Sequence, residues 1–205
     1  MSDVSMAWRP VSAWEGLWTG TGRQGRADGA AGVTVTMIDH VDMATLIAVG
    51  RDTTRMAAVV GELWGLELPA AGRTSTNAAG TLVWSGPGQW LAIPKAYDFA
   101  ALVAAFEGVA AASEQGDGRA LVEIAGRAAR DVLAKGIAID LHPSVFTPGC
   151  TAVTALSHLS VQLWQTDDAP TYVLSAPGTV AGHVWEWLVD SAAEFGCEIR
   201  LRRSL

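Results

Sequence analysis

In the first half of the chain, short continuous apolar runs alternate with segments whose apolar residues recur at helical spacing. Residues 43–50 (MATLIAVG) form an apolar run typical of a buried strand. Residues 52–65 carry apolar side chains three and four positions apart, with Asp52 as an N-cap and Gly65 at the end, which predicts a helix. Two further apolar runs flank a Gly-Pro-Gly turn and indicate a hairpin. We predict strands at 43–50, 81–86, 90–94 and 109–114, and helices at 52–65 and 97–107.

The second half repeats this order of elements. We predict strands at 119–126, 151–157, 159–165, 172–175 and 198–201, and helices at 127–135 and 179–195. The order β-α-β-β-α-β, the split βαβ unit of ferredoxin-like folds, therefore occurs twice. The sequence predicts an α+β fold of two tandem ferredoxin-like halves with antiparallel sheets, at residues 33–116 and 117–205. An irregular N-terminal segment, residues 1–32, precedes them.

The N-terminal segment combines tryptophan with a glycine-rich run. Trp8, Trp14 and Trp18 precede residues 20–32 (GTGRQGRADGAAG), a composition that cannot build a core of its own. The chain has nine tryptophans among 205 residues, and indole side chains concentrate in cores and at interfaces. We therefore expect the N-terminal tryptophans to dock onto another chain. Residues 20–25 resemble a dinucleotide-binding loop, but no strand precedes them and no helix follows, which indicates flexible chain.

The charge and composition exclude several classes of protein. Half of the residues are hydrophobic and 17% are charged, which excludes disorder for most of the chain. The formal net charge of −7, with only a short basic run at residues 200–203, argues against nucleic-acid binding. We find neither a signal peptide nor an apolar run near the roughly 18 residues that a membrane span needs. Two cysteines without CxxC spacing favour a reducing compartment, so we expect a cytoplasmic protein.

His142 is the first candidate for chemistry. It lies in Asp-Leu-His-Pro, just after a predicted helix, and one interpretation makes it a general base oriented by Asp140. The other is a loop histidine whose ring caps a backbone carbonyl before a proline that imposes extended geometry. Because no nucleophile elbow or paired-carboxylate motif accompanies His142, we favour the structural interpretation.

Four charged residues share the predicted helix at 127–135. Arg127, Arg130, Asp131 and Lys135 are spaced so that they would form a solvated, ion-paired face. Arg127 at the helix start is alternatively placed to meet an anion or a carboxylate of a partner. We favour an interface or structural role for this group.

The remaining polar candidates are isolated in the sequence. His183 has Glu186 one helical turn away, but no third ligand lies at a suitable spacing for a metal. No partner in sequence accompanies the others, which are His40, His158, Cys150 and Cys197. Buried, unreactive thiols are the commoner outcome for such cysteines. The sequence therefore predicts no catalytic, cofactor-binding or metal-binding residue in this chain.

Several longer motifs occur together in one order. They are WSGPGQWLAIP at 84–94, GRAARDVLAKGIAIDLHPSVFTPG at 126–149, TAVTALSHLSVQLWQ at 151–165 and YVLSAPGTVAGHVWEWLVDSAAEFG at 172–196. In this order they resemble the gamma subunit of heterotetrameric sarcosine oxidase. The resemblance runs from about Trp84 to Gly196, and the first 80 residues match less clearly.

The resemblance implies an enzyme of four unlike subunits, alpha, beta, gamma and delta. That enzyme oxidises the N-methyl group of sarcosine to give glycine, hydrogen peroxide, and formaldehyde or methylenetetrahydrofolate. The resemblance places FAD on beta, covalent FMN between alpha and beta, NAD and tetrahydrofolate on alpha, and zinc on delta. Gamma carries no cofactor and has no catalytic motif to transfer, so this chain would be an obligate, structural partner of the other three. Its fold would be related to the folate-binding domains of the glycine-cleavage T-protein group.

Two alternatives stay open on the sequence. One is a stand-alone folate-binding or folate-dependent protein of the T-protein group. Against it, the Lys-Gly-Cys-Tyr-x-Gly-Gln signature of one folate-binding branch is missing, because Ile137 and Ala138 follow Gly136. The other is an oxidoreductase with Cys150 as its redox centre, which requires a fast-reacting thiol at neutral pH.

Overall fold

The fold consists of two β-sheets with helices on their outer faces. The computed structural model describes residues 12–17, 20–50 and 52–203. The strands are β1 (Gly22–Gln24), β2 (Val33–Asp39), β3 (Ala44–Ala48), β4 (Thr74–Asn77), β5 (Gly80–Gly86), β6 (Gln89–Pro94), β7 (Ala110–Glu114), β8 (Arg119–Ala125), β9 (Thr151–Leu156), β10 (Leu159–Asp167), β11 (Thr171–Pro177) and β12 (Cys197–Arg203). The helices are α1 (Thr54–Trp64), α2 (Phe99–Ala105), α3 (Ala129–Ala134) and α4 (Ala181–Ala192), with 3₁₀ turns at Gly178–Val180 and Ala193–Phe195.

The first half forms a five-stranded antiparallel sheet in the order β4-β5-β6-β3-β7. Apart from the edge strand β4, the order β5-β6-β3-β7 is the one expected of a β-α-β-β-α-β unit. In that unit each helix connects two strands that are separated by one other strand. Helix α1 ends at Gly65, whose left-handed φ of 59° and N–H bond to the Gly61 carbonyl make the C-cap that the sequence predicts. Asp52 does not cap the helix as predicted, because Thr53 is the N-cap and Asp52 accepts from Thr54 instead.

The second sheet has seven strands in the order β1-β12-β2-β8-β11-β10-β9. Strand β2 lies between β12 and β8, parallel to β12 and antiparallel to β8. Residues 33–39 therefore pair with strands of the second half, although the sequence assigns them to the half that spans 33–116. The physical reason is that Val33, Val35 and Met37 complete the core under β8 and β12, a long-range pairing with no local sequence signal.

Three apolar clusters show how the layers stack. One lies between the seven-stranded sheet and helices α3 and α4, and a second lies between the five-stranded sheet and helices α1 and α2. The third joins the two sheets face to face, with Val83 and Leu91 from one sheet against Leu121 and Trp164 from the other. The layers therefore run helices, sheet, sheet, helices, and the predicted α+β class with two ferredoxin-like halves is confirmed.

The described part of the N-terminal segment packs onto this chain. Trp14 is buried, with 3% of its surface exposed, and its indole N–H donates to the Ile38 carbonyl at 3.0 Å. The expectation that Trp14 docks onto another chain is therefore wrong, since the core of the second half already accommodates the indole. Trp8 and Trp18 lie outside the described residues.

The glycine-rich run also has a fixed course, contrary to the expectation of flexible chain. Strand β1 pairs with β12, and the Arg26 N–H donates to the Ala193 carbonyl at 2.8 Å. Gly25 has φ +72°, and an added Cβ would lie 2.1 Å from the Ala193 oxygen. Only glycine fits such a close approach of two backbones, which explains Gly25 without a dinucleotide.

The helices of the second half are shorter than their predicted spans. Helix α3 begins at Ala129 rather than at residue 127, because Gly126 and the two residues after it form a turn. An added Cβ at Gly126 would lie 2.6 Å from the Gly32 oxygen, so the turn is set by contact with the N-terminal segment. Within the described ranges, no helix is long and apolar enough to cross a membrane.

Candidate functional site: a polar cavity between the sheets

A cavity of about 200 Å³ lies at one end of the layer between the two sheets. On five strands, the side chains that face the other sheet are apolar at one position and polar at the position two residues away. The pairs, apolar member first, are Met43 and Thr45, Val83 and Ser85, Leu91 and Gln89, Leu121 and Arg119, and Trp164 and Gln162. Because side chains two apart on a strand share a face, the polar members converge at the same end of the layer. The sheet-to-sheet interface is therefore apolar in its middle and polar at this end.

Arg119 is the one cation that lines the cavity, among the residues that the structure describes. Its Nε donates to the Ser175 hydroxyl at 2.7 Å and its Nη2 to the Ser175 carbonyl at 3.3 Å. Burial lowers the pKa of the Arg119 guanidinium below its ordinary value, yet arginine stays charged at every physiological pH. In the described part of the chain no carboxylate lies within ion-pair distance of Arg119.

Gln162 and Ser85 hold the two walls of the cavity together. Gln162 is buried, with 3% exposure, and its Nε2 donates to the Trp84 carbonyl at 3.0 Å across the sheets. The Ser85 hydroxyl lies 3.2 Å from Oε1 and 3.1 Å from Nε2 of Gln162. These contacts fix the amide in place and join the two sheets at this wall of the cavity.

A second, more apolar cavity of about 570 Å³ lies on the helical side of the five-stranded sheet. Trp64, Pro94 and Leu102 supply apolar surface, and Lys95 and Tyr97 lie at its wall. Burial, together with the nearby Glu114 and Asp42 carboxylates, raises the pKa of Tyr97 to about 12. Tyr97 therefore stays a neutral phenol in this cavity at physiological pH.

The loop that contains His142 is held by local hydrogen bonds. The Asp140 carboxylate accepts from the backbone N–H of His142 at 2.8 Å, so it does not orient the imidazole. The His142 Nδ1 lies 2.7 Å from the Ser144 hydroxyl, and the side chain is exposed. The observed contacts match neither interpretation in detail, because the ring contacts Ser144 rather than Asp140 or a backbone carbonyl.

The charged residues around α3 do not form the ion-paired face predicted for them. Lys135 instead forms an ion pair with Glu194 beyond α4, and Arg127 precedes the helix and is exposed. The Arg130 guanidinium lies over the Tyr172 ring, 5.8 Å from its centre. The prediction fails because the shorter helix leaves Arg127 outside it, while Lys135 and Arg130 contact residues of other elements.

Two of these groups are buried without a partner. The Arg130 Nε and the Tyr172 hydroxyl make no hydrogen bond to any described residue. Burial raises the pKa of Tyr172, although the adjacent Arg130 opposes that rise. An ordered water can supply the hydrogen-bond partner that the two groups lack.

Cys150 lies beside a guanidinium at the point where the two halves meet. Arg73 Nη1 donates to the Cys150 sulfur at 3.0 Å, and the Thr147 hydroxyl lies 3.5 Å from it. Burial alone raises the Cys150 pKa, but the Thr147 and Arg73 contacts outweigh burial and bring the pKa below its ordinary value. Cys197 is fully buried, and burial raises its pKa to about 11. Both cysteines are free thiols.

The other histidines are dispersed. His183 and His158 are exposed, and His40 lies 3.4 Å from Asp39. Among the described residues, no group of three histidine, cysteine or acidic side chains is placed to hold a metal ion.

Sequence reasoning missed Arg119 because it lies at the start of a strand whose other residues are mostly apolar. The available signal was a charged residue two positions before Leu121, on the same face of a strand that is buried on both faces.

Comparison with known proteins identifies relatives of this chain. Residues 50–194 match the Sarcosine oxidase, gamma subunit family. Sarcosine oxidase subunit gamma of Corynebacterium sp. (strain P-1) is 34% identical over 146 residues, which are 69% of this chain and 71% of that protein. A chain of the heterotetrameric sarcosine oxidase from Corynebacterium sp. U-96, solved with pyrrole 2-carboxylate, superimposes with a TM-score of 0.71 at 25% identity, over 84% of this chain and 88% of that chain.

A more distant solved structure shares the fold. The glycine cleavage system aminomethyltransferase T from Bartonella henselae superimposes with a TM-score of 0.59 at 15% identity, over 84% of this chain and 48% of that one. At this identity the likeness shows the fold alone, and it agrees with the two-sheet arrangement described above. The family match covers well over half of the sequence, and the motif resemblance is confirmed. This chain belongs to the sarcosine oxidase gamma-subunit family.

Proposed function

We propose that this chain is the structural gamma subunit of a heterotetrameric sarcosine oxidase, assembled with alpha, beta and delta subunits and not itself catalytic. The observation that carries the proposal is the superposition over 84% of the chain on a component of such a heterotetramer. The family match over residues 50–194 supports it independently of that superposition.

The proposed reaction of the complete assembly is the oxidative demethylation of sarcosine. Two electrons pass from the N-methyl group to oxygen, which becomes hydrogen peroxide. Water then cleaves the oxidised carbon–nitrogen bond to leave glycine and formaldehyde, or tetrahydrofolate takes the carbon as methylenetetrahydrofolate. FAD, FMN, NAD, tetrahydrofolate and zinc belong to the partner subunits in this proposal. The substrate of the assembly is sarcosine or a related N-methyl amine.

The placement of the chemically capable residues supports a structural role. His142 is bound to Ser144 in an exposed loop, and Cys150 contacts Arg73 at the junction of the halves. His183 lies on the exposed face of α4. None of the three side chains shares a hydrogen-bond partner with another, in the parts of the chain described. The two free thiols further support a reducing, cytoplasmic location.

Peroxide production by purified material tests the proposal. The tagged chain is purified from its own host, and the bound proteins are identified by mass spectrometry. The assembly is expected to absorb visible light through its flavins and to form peroxide from sarcosine. The chain purified alone from a heterologous host is expected to be colourless and inactive. Sarcosine oxidation by the chain alone would contradict the proposal.

A further inference from the structure

We infer that the polar cavity between the sheets is a binding site for a small aliphatic carboxylate, with Arg119 as its counter-ion. This goes beyond the proposed function, which assigns no ligand to the chain. It stands on the geometry of the cavity and on the charge of Arg119, whichever proteins the chain assembles with.

The first step is the hydrogen-bonding capacity that Arg119 retains. A guanidinium has five N–H groups, and toward the described residues Arg119 uses its Nε and one Nη2 hydrogen, both on Ser175. The Nη1 hydrogens and the second Nη2 hydrogen remain. The second Nη2 hydrogen and the Nη1 hydrogen beside it form the outer edge of the guanidinium, an edge that can bind a carboxylate through two parallel hydrogen bonds.

The second step is that no carboxylate among the described residues neutralises this charge. Arg119 also borders a much smaller cavity of about 20 Å³, where Asp39 and Asp117 contribute to the wall. Neither carboxylate is within ion-pair distance of Arg119 in the described residues, and Asp39 instead bonds to Ser12 and to the His40 N–H. A partly buried charge without a counter-ion is costly, and an anion from solution offsets that cost.

The third step is the size and composition of the cavity. At about 200 Å³ it equals about seven water molecules at the volume each occupies in the liquid. It is smaller than the roughly 300 Å³ at which pockets for drug-sized ligands begin, so a folate does not fit. Hydroxyl and amide groups line one part of the wall, while Leu91, Val153, Val161 and Pro177 line another. This combination suits a short aliphatic acid with a second polar group, such as a hydroxy acid or an amino acid.

Calorimetric titration with sodium glycolate tests the inference, on the full-length chain with whatever subunits co-purify. Arg119→Gln removes the counter-ion, and Val153→Trp fills the cavity from an exposed edge strand while leaving Arg119 in place. Arg55→Gln is the matched control, because it removes an equal charge from the exposed face of α1. The second variant keeps the test valid if the first fails to fold.

Saturable glycolate binding is expected in the unmodified protein and in Arg55→Gln. Loss of the guanidinium in Arg119→Gln, or of the space in Val153→Trp, is expected to weaken it at least about tenfold, the scale of a hydrogen bond to a charged group. Equal binding in all four proteins would overturn the inference. So would no binding to the unmodified protein, or competition by sodium chloride at equal concentration, which marks a site for an adventitious ion only.

Discussion

The indole of Trp14 meets the indole of Trp185 edge-on, with ring centres 6.3 Å apart and planes at 67°. This contact fastens the N-terminal segment to α4, because Trp185 lies on the buried face of that helix. An aromatic pair in this geometry stabilises the folded state by roughly 1 kcal/mol, in addition to the stabilisation from the apolar area that it buries. The tryptophan excess therefore serves the fold of this chain at least at Trp14, rather than an interface.

Trp14→Ala is expected to lower the free energy of unfolding by about 3–5 kcal/mol, as for other large-to-small changes in a core. It removes the ring contact with Trp185 and the bond to the Ile38 carbonyl together. Trp14→Phe keeps an aromatic ring and should cost clearly less. Urea unfolding of the three proteins checks this, and an unchanged midpoint for Trp14→Ala would show that the segment does not support the core.

Gly136 is needed for packing rather than for its backbone angle. An added Cβ would lie 2.5 Å from Cζ2 of the Trp187 ring, so Gly136→Ala is expected to cost about 1–3 kcal/mol of stability. Gly61→Ala is the matched control, since the nearest atom to its Cβ is the Leu66 oxygen at 4.0 Å. In the middle of α1 it should stabilise by up to about 1 kcal/mol. Thermal unfolding distinguishes the two, and equal shifts would contradict this packing.

Cys150 is expected to react faster than Cys197 with iodoacetamide at neutral pH. Burial acts against Cys150, but its contacts with Thr147 and Arg73 bring its pKa below the ordinary value, whereas the pKa of Cys197 is about 11. Because the thiolate is the nucleophile, Arg73→Gln should slow the alkylation of Cys150. Arg55→Gln serves as control. Peptide mapping by mass spectrometry gives both rates, and faster labelling of Cys197 would refute the assignment.

The burial of Cys197 predicts a loss of stability in alkaline solution. Its pKa is raised from 9.0 to about 11 by folding, so the folded state favours the neutral thiol. The stabilisation is complete below pH 9.0 and is lost as the pH rises toward about 11. Cys197→Ala should fall less steeply across this range than the unmodified protein, while Cys150→Ala should follow it. Denaturant titrations at several pH values measure the slopes, and identical slopes would exclude Cys197 as a cause.

Local features of the fold could be predicted from the sequence, while long-range pairings could not. Gly65 ends α1 as predicted, because a left-handed C-cap requires glycine whatever surrounds it. Strand β2 was missed although Val33, Val35 and Met37 alternate with threonines, which is a local strand pattern. Its pairing with β8 and β12 could not be predicted, because both partners lie far along the chain. Local patterns do not record which strand will be the neighbour.

The candidate site was harder to foresee than the fold. Arg119 is the first residue of an apolar strand. It lines a cavity only together with Gln162, on another strand of the same sheet, and Ser85, on a strand of the facing sheet. His142, by contrast, was the first candidate for chemistry in the sequence, but its ring contacts Ser144 and its backbone N–H donates to Asp140. Cavities between layers are formed by residues that sequence order keeps apart, and only tertiary structure brings them together.

The central claim is that this chain acts as one component of an assembly of four unlike subunits. Native mass spectrometry of the tagged chain, purified from its own host under gentle conditions, tests that claim most directly. The expected result is one species that contains a single copy of this chain with one copy each of three different polypeptides, and that loses bound flavin only on denaturation. Recovery of the chain only as a monomer, or only with copies of itself, would contradict the account.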